Sequence, residues 1–257
     1  MKLSVLGCSG GIGGRDLRTT ALLVDDDILI DAGTGVGELS VDQLMRIDHV
    51  FITHSHLDHL ACLPLMVDTV GELRQEPLTV YATAATRKIL EEHIFNWMIW
   101  PDFSVLPTPE RPFMRFQTVT LGEVVQFGQR RVTVLPAEHT VPAVGYQIDS
   151  GNGSLVFTGD TTVNDPFWEC VNRIDNLRYL LIETAFPDRE EALAVLSKHL
   201  CPSMLVSELD KLKLSSNPEV FLTHLKPALV DLILQEVRGR GGRFAPRALA
   251  NDQVFEF

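Results

Sequence analysis

Positive charge is scarce in this chain. Its 257 residues hold 22 lysines and arginines against 34 aspartates and glutamates, a formal net charge of −12. Binding along a phosphate backbone draws mainly on clustered Lys and Arg, so a long nucleic acid is not an expected partner. Long apolar runs are missing too. None approaches the roughly 20 residues that span a bilayer, so no membrane segment is expected. Cysteine is sparse and scattered, at Cys8, Cys62, Cys170 and Cys201, with no C-x-x-C pair. Neither a disulfide framework nor a cysteine-type zinc site is implied, and the reducing cytoplasm is the natural compartment. The start, Met1-Lys2-Leu3-Ser4-Val5-Leu6-Gly7, has too short an apolar stretch for a secretory leader and reads as a first strand. Repeats, low-complexity segments and Ser/Gly linkers are absent as well, so residues 1–257 are expected to form one compact unit.

What remains is a chain of ordinary globular composition, and its pattern is strand-rich first. Leu3–Leu6, Thr20–Val24 and Asp27–Asp31 are short β-type runs between Gly and Asp turns. Val36–Arg46 reads as a helix and His49–Thr53 as a buried strand. Leu57–Val70 has helical apolar spacing, as does Ala84–Phe95 after the strand Leu78–Tyr81. The stretch Trp97–Pro112, with Trp97, Trp100, Phe103 and Pro101, Pro107, Pro109 and Pro112, reads as an irregular aromatic excursion. It suits a packed connection, or a lid or subunit contact. A second strand-rich block follows: Phe113–Thr120, Val124–Phe127, Arg131–Leu135, Val144–Asp149 and Leu155–Thr158. Then come a helix near Asp165–Arg173, the strand Tyr179–Glu183, helices Arg189–Leu200 and Pro202–Leu212, the strand Val220–Thr223 and the helix Pro227–Arg238. Two strand blocks, each followed by helices, predict two sheets packed face to face with helices outside both.

The most informative stretch is Thr53-His54-Ser55-His56-Leu57-Asp58-His59, between an apolar strand and a helix. Three imidazoles and a carboxylate in six residues make no sense for a core and little for a surface. For a cation they make good sense, since neutral imidazole and carboxylate are zinc's usual non-thiolate ligands. In an extended segment His54 and His56 point the same way. Asp58 and His59 follow once the chain turns into the helix and point to a neighbouring place, which serves two adjacent ions rather than one. His139, Asp160 and His224 also follow strands, where α/β sites are assembled.

The order H-x-H-x-D-H, then a single His, then Gly159-Asp160-Thr161, then a late His after a strand resembles the metallo-β-lactamase superfamily. The resemblance covers nearly the whole chain. It implies an α/β fold, a four-layer αββα sandwich of two mixed sheets, with a dinuclear metal site along one sheet edge. Carried over by residue, His54, His56 and His139 would hold one metal, Asp58, His59 and His224 the second, and Asp160 would bridge them. Two divalent ions are therefore implied as cofactors. Zinc comes first from the His-rich set, while manganese or iron is compatible with the same ligand types.

Within the superfamily, His56-Leu57-Asp58-His59, Ile182-Glu183-Thr184-Ala185-Phe186-Pro187, His199-Leu200-Cys201-Pro202 and Thr223-His224-Leu225-Lys226-Pro227 resemble class II 3′,5′-cyclic nucleotide phosphodiesterases. Two departures are visible, Cys62 where that family usually has Gly or Ser, and Asp68 where it has Ser. The resemblance implies a small cyclic nucleotide (cAMP or cGMP) as substrate and a homodimer. It also implies His199, Glu183 and Asp58 as catalytic side chains, with His199 oriented by Glu183 and donating to the phosphate or the leaving 3′-oxygen. The same segments resemble ribonuclease Z, but its long basic, glycine-rich arm is missing here. An RNA-processing or lactone-cleaving hydrolase, and a non-catalytic di-metal sensing protein, are the alternatives.

Three further features have two readings each. The Gly7–Gly14 cluster lacks a G-x-G-x-x-G register and reads as a hairpin beside the metal site rather than a nucleotide loop. Asp31 is either a carboxylate behind a metal histidine or a plain strand-end turn. Arg238, Arg240, Arg243 and Arg247 are either a solvated helix end or a contact for substrate phosphate.

Overall fold

In the computed structural model, which describes residues 1–214 and 217–257, hydrophobic alternation sorts the strands into two sheets with three layers of apolar side chains. The strands are β1 (Lys2–Gly7), β2 (Ala21–Val24), β3 (Ile28–Ile30), β4 (His49–Phe51), β5 (Leu78–Ala82), β6 (Pro107–Thr108), β7 (Arg111–Pro112), β8 (Met114–Thr118), β9 (Val124–Phe127), β10 (Arg130–Pro136), β11 (Val144–Asp149), β12 (Ser154–Phe157), β13 (Leu177–Glu183), β14 (Glu219–Thr223), β15 (Arg247–Ala248) and β16 (Val254–Glu256). One sheet has the order β16-β1-β2-β3-β4-β5-β8 and the other β15-β14-β13-β12-β11-β10-β9, while β6 and β7 form a separate hairpin. Each large sheet is mixed, antiparallel on one side and parallel on the other.

Because successive strand residues face opposite sides, Ile28 and Ile30 enter the layer between the sheets while Leu29 turns outward. Likewise Leu155 and Phe157 point between the sheets and Val156 points out. The first sheet's outer face is covered by α1 (Val41–Leu44), α2 (Leu57–Leu60), α3 (Leu63–Val70) and α4 (Ala84–His93), through Leu44, Leu60, Leu63, Val67 and Leu90. The second sheet's outer face carries α5 (Asp165–Val171), α7 (Pro202–Leu209) and α8 (Val230–Arg240), with Phe167, Leu205 and Ile233 packed beneath them, while α6 (Glu191–Ser197) buries only Ala194. The result is the four-layer αββα sandwich of two mixed sheets. No helix among the described residues is long and apolar enough to cross a membrane.

Local chemistry alters several expected elements. Val36–Arg46 is not one helix. Residues Thr34–Glu38 make a 3₁₀ turn, and α1 starts afresh after Ser40, whose hydroxyl and Gln43 form a reciprocal cap. Leu57–Val70 breaks between α2 and α3, with Pro64 in the first turn of α3, where its missing N–H is not needed. The segment after α4 is irregular only to Leu106, after which β6 and β7 pair as a hairpin, and the irregular part divides in two. Trp100 and Phe103 pack on the first sheet's outer core, while Trp97, Met98 and Ile99 are exposed.

Candidate metal centre

β4 is short and buried, and it delivers the chain to Thr53 and His54 at the rim of the sandwich. His56 is still extended (φ −71°, ψ 145°), and α2 begins immediately after it with Asp58 and His59 in its first turn. The turn from strand to helix therefore separates the two pairs, as the spacing predicts. His54 and His56 converge on His139 from the end of β10. The ring centroids of the three lie 4.7–5.0 Å apart, and His139 Nε2 is 3.1 Å from His56 Nδ1. Asp58 and His59 converge instead on His224, which follows β14, with 3.7 Å between Asp58 Oδ2 and His224 Nε2.

Asp160 lies between the two groups. Gly159 turns the chain sharply after β12 with φ +62°, a conformation that favours glycine, and a Cβ there would lie 2.7 Å from the Val144 carbonyl oxygen. The Asp160 carboxylate then presents Oδ2 to His54 Nε2 at 3.7 Å. Its Oδ1 faces His59 Nε2 at 3.3 Å and His224 Nδ1 at 3.2 Å. All seven side chains singled out in the sequence meet here. The donor atoms of His54, His56 and His139 lie within 4.8 Å of one another, as do those of Asp58, His59, Asp160 and His224.

The donor set fits divalent cations. His54 Nε2, His59 Nε2 and His224 Nδ1 are buried, face Asp160, and have no hydrogen-bond partner. Buried polar atoms left this way are costly unless something binds their lone pairs. The opposite ring nitrogens are occupied for three of the histidines, with His54 Nδ1 at 3.0 Å from the Thr53 hydroxyl. His59 Nδ1 donates to Asp31 Oδ2 at 2.7 Å, and Asp31 also accepts from the Thr53 amide and hydroxyl, both at 2.8 Å. His139 Nδ1 donates to the Lys198 carbonyl at 3.0 Å. In its neutral form, with the proton on Nδ1, each of the His59 and His139 rings turns a bare Nε2 towards the centre, as metal histidines require. Asp31 is thus the carboxylate behind a histidine and not a plain turn.

Burial pushes His54 well below the usual imidazole range, His56 below it, His139 down to about 4 and His224 down to about 3. These rings are neutral at pH 7, the form that binds metal. His59 goes the other way. Against the opposing effect of burial, Asp160 and Asp31 raise it well above its ordinary value. The Asp160 carboxyl, also against burial, is held well below its usual range by His224 and His59. Two buried carboxylates among these rings create a demand for positive charge.

Glu183 ends β13 fully buried, where Oε1 accepts from the Thr161 amide at 3.1 Å and from His199 Nδ1 at 2.8 Å. Its Oε2 accepts from the Leu200 amide at 3.2 Å. The expected helix Arg189–Leu200 is shorter. It ends as α6 at Ser197, and Lys198 adopts a left-handed conformation (φ 53°) that swings His199 off the helix and towards the His/Asp cluster. His199 stacks on His224 at 5.0 Å and lies 4.8 Å from the His139 ring. Burial raises the Glu183 carboxyl, while Glu183 raises His199 against the effect of burial. Three non-glycine residues with positive φ, Asp31, Lys198 and His224, adjoin the centre. Backbone strain of this kind persists where surrounding structure enforces it, commonly at functional sites.

The glycine cluster lies beside the centre. Gly10 donates to the Leu225 carbonyl at 3.1 Å, and a Cβ there would come within 2.4 Å of the His224 carbonyl oxygen. Three of the four clustered arginines have other partners. Arg240 binds Asp188, Arg247 pairs with Glu219, and Arg243 donates to the Leu212 and Leu214 carbonyls. Sequence reasoning missed two supports, the Lys198 carbonyl and the Thr53 hydroxyl. A backbone carbonyl leaves no mark on the residue string, whereas Thr53 abuts the motif and was open to the same reasoning as Asp31.

Residues 26–225 match the family described as "Beta-lactamase superfamily domain". A probable 3′,5′-cyclic-nucleotide phosphodiesterase of Yersinia pestis is 29% identical over 205 residues, covering 71% of this chain and 58% of that protein. Ribonuclease Z of Methanopyrus kandleri is 30% identical over 151 residues, covering 56% of this chain and 49% of that protein. The chain thus spans about half the length of the curated relatives it matches. Among solved structures, the metallo-beta-lactamase fold protein YhfI of Bacillus subtilis superposes with a TM-score of 0.77 at 18% identity, over 99% of both chains. With a family match over most of its length and this fold around a His/Asp centre able to bind metal, the chain belongs to the metallo-β-lactamase superfamily.

Proposed function

We propose that this chain is a metal-dependent phosphodiesterase that hydrolyses 3′,5′-cyclic nucleotides to 5′-nucleotides. The observation that carries the reading is Asp160, whose two carboxylate oxygens face different groups of histidines. His54, His56 and His139 would hold one ion, Asp58, His59 and His224 a second, and Asp160 would be shared. Zinc suits a set of neutral imidazoles and carboxylates best, with manganese and iron next. Bound divalent ions would supply Lewis acidity, neutralise phosphoryl charge and lower the pKa of water.

The protein's own contribution to the chemistry comes from His199. Its Nδ1–H is fixed by Glu183, so the ring is oriented with Nε2 free to hold a proton. In hydrolysis of the 3′ bond, water loses one proton to solvent as it adds to phosphorus, the P–O3′ bond breaks, and the leaving oxygen must gain a proton. His199 supplies it, and Glu183 keeps the ring oriented and charged. Buried Glu183 holds its place through two backbone amides, so orientation does not depend on substrate. A small substrate is favoured over RNA because the net charge is −12 and three of the four clustered arginines are engaged elsewhere.

A turnover panel tests this proposal. Metal-loaded protein should hydrolyse cyclic AMP or cyclic GMP and bis(4-nitrophenyl) phosphate, and lose both activities on chelation. A short RNA with a 3′ extension and a simple lactone should be poor substrates. Efficient RNA or lactone cleavage without cyclic-nucleotide turnover would transfer the assignment to another hydrolase of the same superfamily. No turnover of any substrate by a protein carrying metal would favour a sensing role.

A further inference from the structure

Lys226 is a half-buried cation with no carboxylate partner among the described residues, in a chain with 34 acidic side chains. It lies two residues beyond His224. Its ammonium donates to the Gly10 carbonyl at 2.8 Å, sits 3.5 Å from His224 Nε2, and lies 5.9 Å from the centre of the Phe186 ring. Phe186 in turn meets His199 edge-on at 5.7 Å. The ammonium, His199 and His224 therefore share one end of the centre, walled on one side by an aromatic ring.

The ammonium stands at the ligand end of the centre, 3.5 Å from His224 Nε2, with no carboxylate within ion-pair distance among the described residues. The Gly10 carbonyl satisfies one of its three N–H groups and neutralises none of its charge. An entering anion would do both. We propose that Lys226 binds a non-bridging oxygen of the substrate's phosphoryl group, and the phosphate of the product, opposite His199. This inference rests on the phosphodiesterase reading above. It also gives the glycine cluster a function, because the Gly10 carbonyl fixes the ammonium beside the ligands.

The test is equilibrium binding of inorganic phosphate to the metal-loaded protein by calorimetry, with metal content and melting temperature measured on the same samples. Lys226→Gln removes the charge and leaves an N–H able to reach Gly10, while Lys226→Arg keeps the charge. Phosphate affinity should fall on the order of tenfold or more in Lys226→Gln, the scale of a lost charge-assisted hydrogen bond. Lys226→Arg should recover most of it, and metal content should match the parent in both. KM for bis(4-nitrophenyl) phosphate should rise in Lys226→Gln by a larger factor than kcat falls. Unchanged phosphate affinity in Lys226→Gln, with the parent still cleaving diesters, would overturn the Lys226 assignment alone. Loss of metal or of melting temperature in Lys226→Gln would make Lys226 a tether for the glycine loop and overturn it as well. A parent protein that neither binds phosphate nor cleaves a diester would overturn both this inference and the function on which it rests.

Discussion

Replacing Asp160 with alanine should strip metal from the protein and abolish turnover. Its carboxylate is buried and is the group that both sets of candidate ligands face. Without it, His54, His59 and His224 surround a void with unpartnered nitrogens, and any two ions held there lose their shared counter-charge. Metal content should drop by at least one equivalent, since affinity rests on ligand number and on correctly protonated donors. Turnover should fall on the order of a thousandfold or more, consistent with losing several kcal/mol of metal-derived stabilisation. The fold should survive, because the three apolar clusters do not include this residue. Asp160→Asn keeps the shape and one acceptor oxygen and should lie between alanine and the parent. Elemental analysis and turnover on one sample decide the matter: an Asp160→Ala protein with parental metal content and rate would disprove the shared position.

Replacing His199 separates catalysis from metal binding. In the present geometry its ring is held by Glu183 at 2.8 Å and stacks on His224, so it adjoins the ligand groups. Its donor atoms also lie within 4.8 Å of those of His139 and Asp160, which makes coordination the competing role. If His199 is the general acid, His199→Ala should keep parental metal content and lose about 10²–10⁴-fold in turnover of a cyclic nucleotide. Glu183→Gln should fall in the same direction, and the double variant should not show the product of the two losses, because the pair acts as a unit. The loss should shrink for bis(4-nitrophenyl) phosphate, whose leaving group needs no proton. Equal losses on both substrates would assign His199 to phosphate binding, and loss of metal would make it a ligand.

Much of this centre was legible in the residue string for a physical reason. The run His54-Ser55-His56-Leu57-Asp58-His59 combines a period-2 pair with a helical turn, and β4 and α2 execute that change of period at His56. His139, Asp160 and His224 were legible because short apolar strands end just before them. The elements that went unread depend on backbone details without a strong sequence signal. Lys198 in a left-handed conformation shortens α6 and moves His199 off the helix, though nothing in Leu196-Ser197-Lys198-His199 requires it. The helix expected over Val36–Arg46 carries apolar residues at helical spacing, yet Gly35 and Gly37 and the Ser40 cap divide it. Asp31 was readable only as a choice, since a strand-end aspartate looks the same whether or not a histidine from α2 reaches it.

The most direct test of the central claim, that paired cation positions sharing Asp160 make this chain a cyclic-nucleotide phosphodiesterase, is a metal titration of the chelated protein followed by cyclic AMP turnover. Turnover should be absent at the start, rise to its plateau as the second equivalent of divalent ion is taken up, and yield 5′-AMP as the product. Undiminished cyclic AMP hydrolysis in fully chelated protein, or a plateau reached at a single equivalent, would contradict it.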